Sequence, residues 1–311
     1  MHRFKEKRML LLIAVALFIL IASIILMLVS DGLVLSLLFP IITGIFLVAF
    51  IVVVVNFVMS IKKEPVKIKT SILGASGSGK TVYTTVLFNK LDVGEYSAKN
   101  FSLKIVPGPT NKKVISDYAD LKKGKPLPST TMEDMFFYHA SAETSSQKNV
   151  LLEVGDYPGR KFDEKFLYQT EYFYYICQSD IVLLVVDLER TLSGDDVEYA
   201  IDLETNFRGT LNALDEKNGV SSKPNRPIAL LFLKTDIVSD SEMNSYQETA
   251  KNTFRELISY CNKNYANFEI FFVTSLGKDY KPNEWPIRSC SVVEPILWAL
   301  EKMGIYSVTP S

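Results

Sequence analysis

Gly74-Ala75-Ser76-Gly77-Ser78-Gly79-Lys80-Thr81 stands between an apolar run at 67–73 and a helix-like stretch at 82–91. Glycines at the first, fourth and sixth places let the backbone curl until successive N–H groups point inward, as holding phosphate oxygens requires. The N-terminus of the following helix adds its positive dipole end. Lys80 is spaced to reach the β- and γ-phosphates of a nucleoside triphosphate and Thr81 to ligate Mg²⁺. A chance Gly/Ser-rich turn would not come with both a strand before it and a helix after it. Gly74, Ser76, Gly77, Ser78, Gly79, Lys80 and Thr81 are therefore the candidate phosphate cradle.

Outward from the loop, strand-like and helix-like runs alternate. Strands are expected at 67–73, 135–140, 150–154, 180–187, 227–233 and 268–274. Helices are expected at 82–91, 161–177, 195–216, 241–263 and 291–303. Such alternation specifies an α/β fold, a mostly parallel sheet with helices on both faces and ligands at the carboxyl ends of the strands. The polar stretch 94–129, punctuated by Pro107, Pro109, Pro126 and Pro128, reads as a loop or short strand-containing insertion beside the nucleotide. The charge-rich stretch 195–204 reads as a solvated helix face, and residues 306–311 as a tail.

The chain of 311 residues opens differently. Residues 9–29 and 33–59 are almost wholly apolar and uncharged, each long enough to cross a hydrocarbon core of about 30 Å at roughly 1.5 Å per residue. Arg3, Lys5, Lys7 and Arg8 precede the first run; Lys62, Lys63, Lys67 and Lys69 follow the second. The positive-inside rule then places both ends in the cytoplasm. The expectation is an integral membrane protein: a two-span transmembrane hairpin over 1–59, a short linker at 60–66 and one nucleotide-binding domain over 67–305. The first run is too long for a usual signal-peptide core and lacks a small-residue cleavage site before Asp31.

Four of the 34 basic and two of the 35 acidic residues fall before position 60, which leaves 30 and 33 in the remainder. That near-neutral balance, without an extended basic tract, gives no footprint for nucleic acid. Three dispersed cysteines and two histidines, His2 and His139, exclude a disulfide framework, a zinc cluster and a Ser/His/Asp triad.

The other strand ends choose among nucleotides. Asp156-Tyr157-Pro158-Gly159 follows the strand at 150–154; its carboxylate can hold Mg²⁺ through water and the Gly159 N–H can sense a γ-phosphate. Lys234-Thr235-Asp236 follows the strand at 227–233. An aspartate there accepts from N1 and N2 of guanine, a donor pair that adenine lacks, while the lysine stem covers the base. Thr274-Ser275-Leu276 is placed to offer a backbone donor to guanine O6, with Ser275 at its centre.

With these motifs in order, residues 67–303 resemble the P-loop GTPases of the small-GTPase and translation-factor type. The membrane anchor followed by Asp-x-Pro-Gly also resembles, more weakly, the β subunit of the signal recognition particle receptor. The resemblance implies GTP and GDP as ligands, Mg²⁺ as cofactor, and a switch threonine before the second strand. Thr131 is favoured for that Mg²⁺ ligand over the adjacent Thr130. It also implies a nucleotide-dependent switch acting on a protein partner or a second copy at the switch surface. The aromatics from Phe162 to Tyr175 are read as packing against the sheet, with exposure of some as a partner surface the alternative, since they spread too far around the helix to share one face.

Two departures bear on mechanism. Leu233 stands where the family places Asn or Thr, which removes a tie to the phosphate loop and implies weaker nucleotide binding. Arg160 stands where many relatives carry the water-orienting glutamine, so intrinsic hydrolysis is expected to be slow. Arg160 is read as an exposed arginine of a mobile switch, with a charge-stabilising finger in cis as the alternative. A nucleotide-binding scaffold with negligible turnover and a P-loop ATPase are the competing classes; Arg160 bears on the first and Asp236 on the second.

Overall fold

The computed structural model describes residues 65–93, 97, 98, 101–128, 136–144, 150–159, 171–193, 197–218, 225–239, 241–283 and 287–305, with 44, 48, 50 and 51. The chain divides into two units, Met1–Glu64 and Pro65–Ser311. Among the described residues no helix is long and apolar enough to cross a membrane. The two apolar runs at 9–29 and 33–59 lie outside them apart from four positions.

Eight strands form one sheet: β1 (Val66–Leu73), β2 (Ser97–Ala98), β3 (Phe101–Ile105), β4 (Phe136–Thr144), β5 (Val150–Asp156), β6 (Ile181–Asp187), β7 (Ile228–Leu233) and β8 (Phe268–Phe272). Their order is β2-β3-β4-β5-β1-β6-β7-β8. The run β5-β1-β6-β7-β8 is parallel, and β4, β3 and β2 are added antiparallel on the β5 side.

Strands covered on both faces have no solvent side, so they read as unbroken apolar runs. Ile-Val-Leu-Leu-Val-Val in β6 and Ile-Ala-Leu-Leu-Phe-Leu in β7 are buried throughout. Their side chains still alternate, as the pleat requires. Ile181, Leu183, Val185, Leu231 and Leu233 join one core with Tyr83, Leu87, Phe88, Ile296 and Leu300. Val182, Leu184, Val186, Leu230 and Phe232 join the other, with Ile176, Phe207, Leu211, Phe254 and Leu257. The first core is covered by α1 (Lys80–Val93), α2 (Pro109–Lys122) and a C-terminal helix, Glu294–Lys302. Against the second lie α3 (Glu171–Cys177), α4 (Leu188–Leu192), α5 (Val197–Asn218), α6 (Met243–Thr253) and α7 (Arg255–Asn264); the C-terminal helix is α8.

The insertion at 94–129 is more ordered than its polar composition implies. It supplies β2, β3 and the 14-residue helix α2, started by Pro109 in the first turn, where a missing N–H is not needed. It extends the sheet beyond β4. Its far end is tied to a distant loop: Asn283 N donates to Lys122 O at 2.8 Å, and the Tyr280 hydroxyl to Leu121 O. The helix expected at 241–263 is interrupted at Phe254, whose ring is fully buried and set edge-on to Phe232. Seating that ring in the core accompanies the break between α6 and α7.

Candidate functional site

The phosphate loop leaves β1 at Gly74 and enters α1 at Lys80. Gly77 and Gly79 adopt φ of 76° and 89°, a region that side-chain-bearing residues rarely enter. Gly74 is constrained differently: a Cβ there would lie 2.5 Å from the Val185 carbonyl oxygen of β6. Lys80 is buried and curls back over the loop, donating to the Gly74 and Ala75 carbonyls, both at 2.7 Å, with Ser78 Oγ at 3.4 Å. Thr81 Oγ1 donates to Asp156 Oδ2 at 2.8 Å. A hydroxyl and a carboxylate oxygen side by side at the end of the loop are hard oxygen donors of the kind Mg²⁺ takes, so these residues fit the ion. The pairing also brings together two residues that lie 75 positions apart.

Gly159 closes the same site from the β5 side. A Cβ at Gly159 would lie 2.5 Å from both Ser76 N and Ser76 Cα and 2.8 Å from the Ala75 carbonyl carbon, so only glycine permits this approach. Behind it, Tyr157 is buried and its ring lies 5.9 Å from that of Tyr175 in α3. Of the aromatic stretch, Phe173 is buried, Tyr175 is half-buried and Tyr174 is 60% exposed, so packing in the core alone does not hold; Phe162, Phe166 and Tyr168 lie outside the described residues. Arg160, Thr130 and Thr131 lie outside the described residues.

Sequence reasoning gave no role to the carboxylate of Glu153, buried in the middle of β5. Lys67 Nζ approaches it at 2.6 Å, His139 Nε2 at 2.9 Å and the Tyr175 hydroxyl at 3.1 Å. Burial alone would raise the Glu153 pKa, but the hydrogen bonds from Lys67, His139 and Tyr175, with the Lys67 charge, outweigh it and hold it below the usual carboxylate range. A depressed carboxylate stabilises the fold above its unfolded value, near 4.3, and this contribution is lost as pH falls through the lower folded value. Glu153→Gln is accordingly expected to cost about 1–3 kcal/mol near pH 7. The gap to wild type should close below about pH 4, as read by denaturant titration across pH; a gap that persists unchanged to acid pH would remove the charge from the account.

At the end of β7, Leu233 is buried on the α1 side, its Cδ1 3.6 Å from where a Gly79 Cβ would stand. An apolar contact thus takes the place of the polar tie to the phosphate loop. Lys234 follows in a left-handed conformation with φ 62°, opening the short 3₁₀ turn Thr235–Ile237. Its Nζ donates to Asp187 Oδ2 at 2.7 Å and Glu189 Oε2 at 3.2 Å. Asp236 is half-buried, and burial raises its carboxyl pKa. Thr235 Oγ1 and Thr274 Oγ1 share a hydrogen bond at 2.6 Å, which joins the ends of β7 and β8. Ser275 is buried in the following loop, and that loop is held by reciprocal backbone bonds between Thr274 and Cys290 at 3.1 and 2.9 Å.

The structure thus brings the phosphate loop, Asp156 and Gly159 together, and sets Lys234–Asp236 beside Thr274–Ser275. All lie at the carboxyl ends of parallel strands, where doubly wound sheets bind ligands. The solvated reading of 195–204 holds for Glu198 and Asp202, which are exposed; they also line a cavity of about 260 Å³ with Ala75 and Arg190. Asp187 and Glu189 went unnoticed in the sequence. A strand ending in Asp followed by a short helix signals an N-cap, and Asp187 does cap α4 by accepting from Arg190 N, but nothing local reveals its second partner.

Fold and loop together define a P-loop domain of the GTPase type. Residues 69–284, more than half of the chain, match the family described as double-GTPase 2, and the protein belongs to that family. Comparison with curated proteins finds no match.

Proposed function

We propose that the protein is a membrane-anchored GTP-binding switch with slow intrinsic hydrolysis. The observation that carries the nucleotide reading is the meeting of Lys80, Thr81, Asp156 and Gly159 on one side and Lys234, Asp236 and Ser275 on the other, at the same edge of one sheet. Membership of a double-GTPase family supports it. In this reading Gly74, Ser76, Gly77, Ser78, Gly79 and Lys80 hold the phosphates. Thr81, Thr131 and, through water, Asp156 hold Mg²⁺, which would neutralise phosphate charge. Asp236 and Ser275 read guanine under the Lys234 stem.

Switching is supported by the packing of Gly159 on Ala75–Ser76, since any group entering beside the loop must displace or bond this glycine. Its movement would act on Tyr157, hence on Tyr175 and the exposed Tyr174, which makes α3 the surface offered to a protein partner or a second copy. Anchoring rests on the two uncharged runs at 9–29 and 33–59 and their basic flanks.

Slow turnover rests on Arg160 at the water-positioning place. Phosphoryl transfer gains most of its rate from positioning and charge stabilisation, and a group supplied in trans is worth about 10³–10⁵ in kcat. Hydrolysis by the full chain is expected to be slow in dilute detergent and to rise with surface density once reconstituted in vesicles. Equilibrium titration with GTP, GDP and ATP tests binding separately. Equal affinity for ATP and GTP would overturn the guanine reading, and fast hydrolysis independent of density would overturn the need for a partner.

A further inference from the structure

We propose that Asp187 and Glu189 are positioning residues for the guanine site, clamping Lys234 in the place where this chain lacks the usual polar tie at Leu233. The inference rests on the guanine reading above and adds to it a second strand.

Leu233 and Asp187 are register partners on adjacent strands, so the residue after Leu233 leaves β7 directly beside the Asp187 carboxylate. Lys234 then takes a left-handed backbone conformation, uncommon for a residue with a side chain, as it opens the 3₁₀ turn. Its Nζ meets both carboxylates, at 2.7 Å from Asp187 Oδ2 and 3.2 Å from Glu189 Oε2. Asp187 is itself immobilised. It is 1% exposed, Oδ1 caps Arg190 N at 3.3 Å, its N–H donates to the Tyr199 hydroxyl at 3.1 Å, and its carbonyl accepts from Thr191 Oγ1 at 2.8 Å. Burial would lower the Lys234 pKa, but the two carboxylates reverse this and hold the ammonium charged.

A lysine stem laid over a base must surrender several rotors on binding, and a stem already fixed in the free protein surrenders fewer. A neutral Leu at 233 leaves the segment without a bond to the phosphate loop. The clamp restores fixation from β6, and the Thr235–Thr274 hydroxyl bond from β8.

The test is a double-mutant cycle on the full chain, with GDP and GTP affinities measured for Asp187→Asn, Lys234→Met and the pair. Asn keeps a cap acceptor for α4 while removing the charge. Asp187→Asn should weaken both nucleotides about tenfold in the wild-type background and less than about twofold once Lys234 is Met, because coupled residues are non-additive. Glu189→Gln, whose side chain is 60% exposed and so spares folding, should weaken both about two- to fivefold. Additive effects across the cycle, or wild-type affinity in both carboxylate variants while Lys234→Met binds weakly, would overturn the clamp. Failure of the wild type to prefer GTP over ATP would instead overturn the guanine reading beneath it.

Discussion

Asp236→Asn is expected to weaken GTP binding roughly a hundredfold and to improve binding of xanthosine triphosphate. The carboxylate offers two acceptors to the N1–H and N2–H of guanine, and hydrogen bonds to a charged group are worth about 1.5–3 kcal/mol each. An amide offers one acceptor and one donor, so the guanine amino group meets a donor and one bond becomes a conflict. Xanthine carries a carbonyl there and matches the amide. Because Asp236 is half-buried, a mismatched group cannot turn freely to water. Burial also raises its pKa, so guanine affinity in the wild type should begin to fall at a higher pH than an ordinary aspartate would give. Competition binding with GTP, ATP and xanthosine triphosphate reads all of this; a variant with unchanged GTP affinity would move base recognition away from Lys234–Asp236.

Lys80→Ala is expected to lower triphosphate affinity by roughly two to three orders of magnitude while leaving the fold intact. In the free protein the ammonium is held by the Gly74 and Ala75 carbonyls and Ser78 Oγ, inside the curl of the loop. Removing the ammonium deletes charge-assisted bonds to phosphate worth about 3–4 kcal/mol in total. Stability should change little, because the loop shape is set by Gly74 against Val185 and by the positive φ of Gly77 and Gly79. Calorimetric titration alongside a melting curve separates the two; unchanged triphosphate binding with an unchanged melt would show that residues 74–81 do not hold phosphate.

The parts legible in the sequence are those whose cause is local or strictly periodic. β6 and β7 announce themselves because a strand with two covered faces has no polar side to interrupt it. The phosphate loop is legible because Gly77 and Gly79 answer to local backbone angles, although the reason for Gly74, the Val185 carbonyl of β6, is not local. What escaped depends on register and on the third dimension. Glu153 looks like one polar residue in an apolar strand until the sheet sets His139 opposite it and Lys67 and Tyr175 reach in. Leu233 reads as a loss until Asp187, from the neighbouring strand, is seen to reach Lys234. In the insertion at 94–129 the short strands β2 and β3 fit the expectation, whereas the helix Pro109–Lys122 is hidden because its polar composition buries only Thr110, Val114, Asp117 and Leu121.

The place of β1 in the strand order has a consequence for biosynthesis. It is the earliest of the described strands, yet its neighbours are β5, joined from Val66↔Val150 onward, and β6, joined at Thr70↔Ile181. At about 5–20 residues per second, Ile68, Ile72 and Leu73 emerge from the ribosome several seconds before either neighbour has been made. Nascent chains stalled before residue 187 should therefore remain open to protease and to chaperones that grip apolar segments. Protection should arrive as a step once β6 has cleared the exit tunnel, so the domain is completed from its middle strand outward rather than in the order in which it is translated.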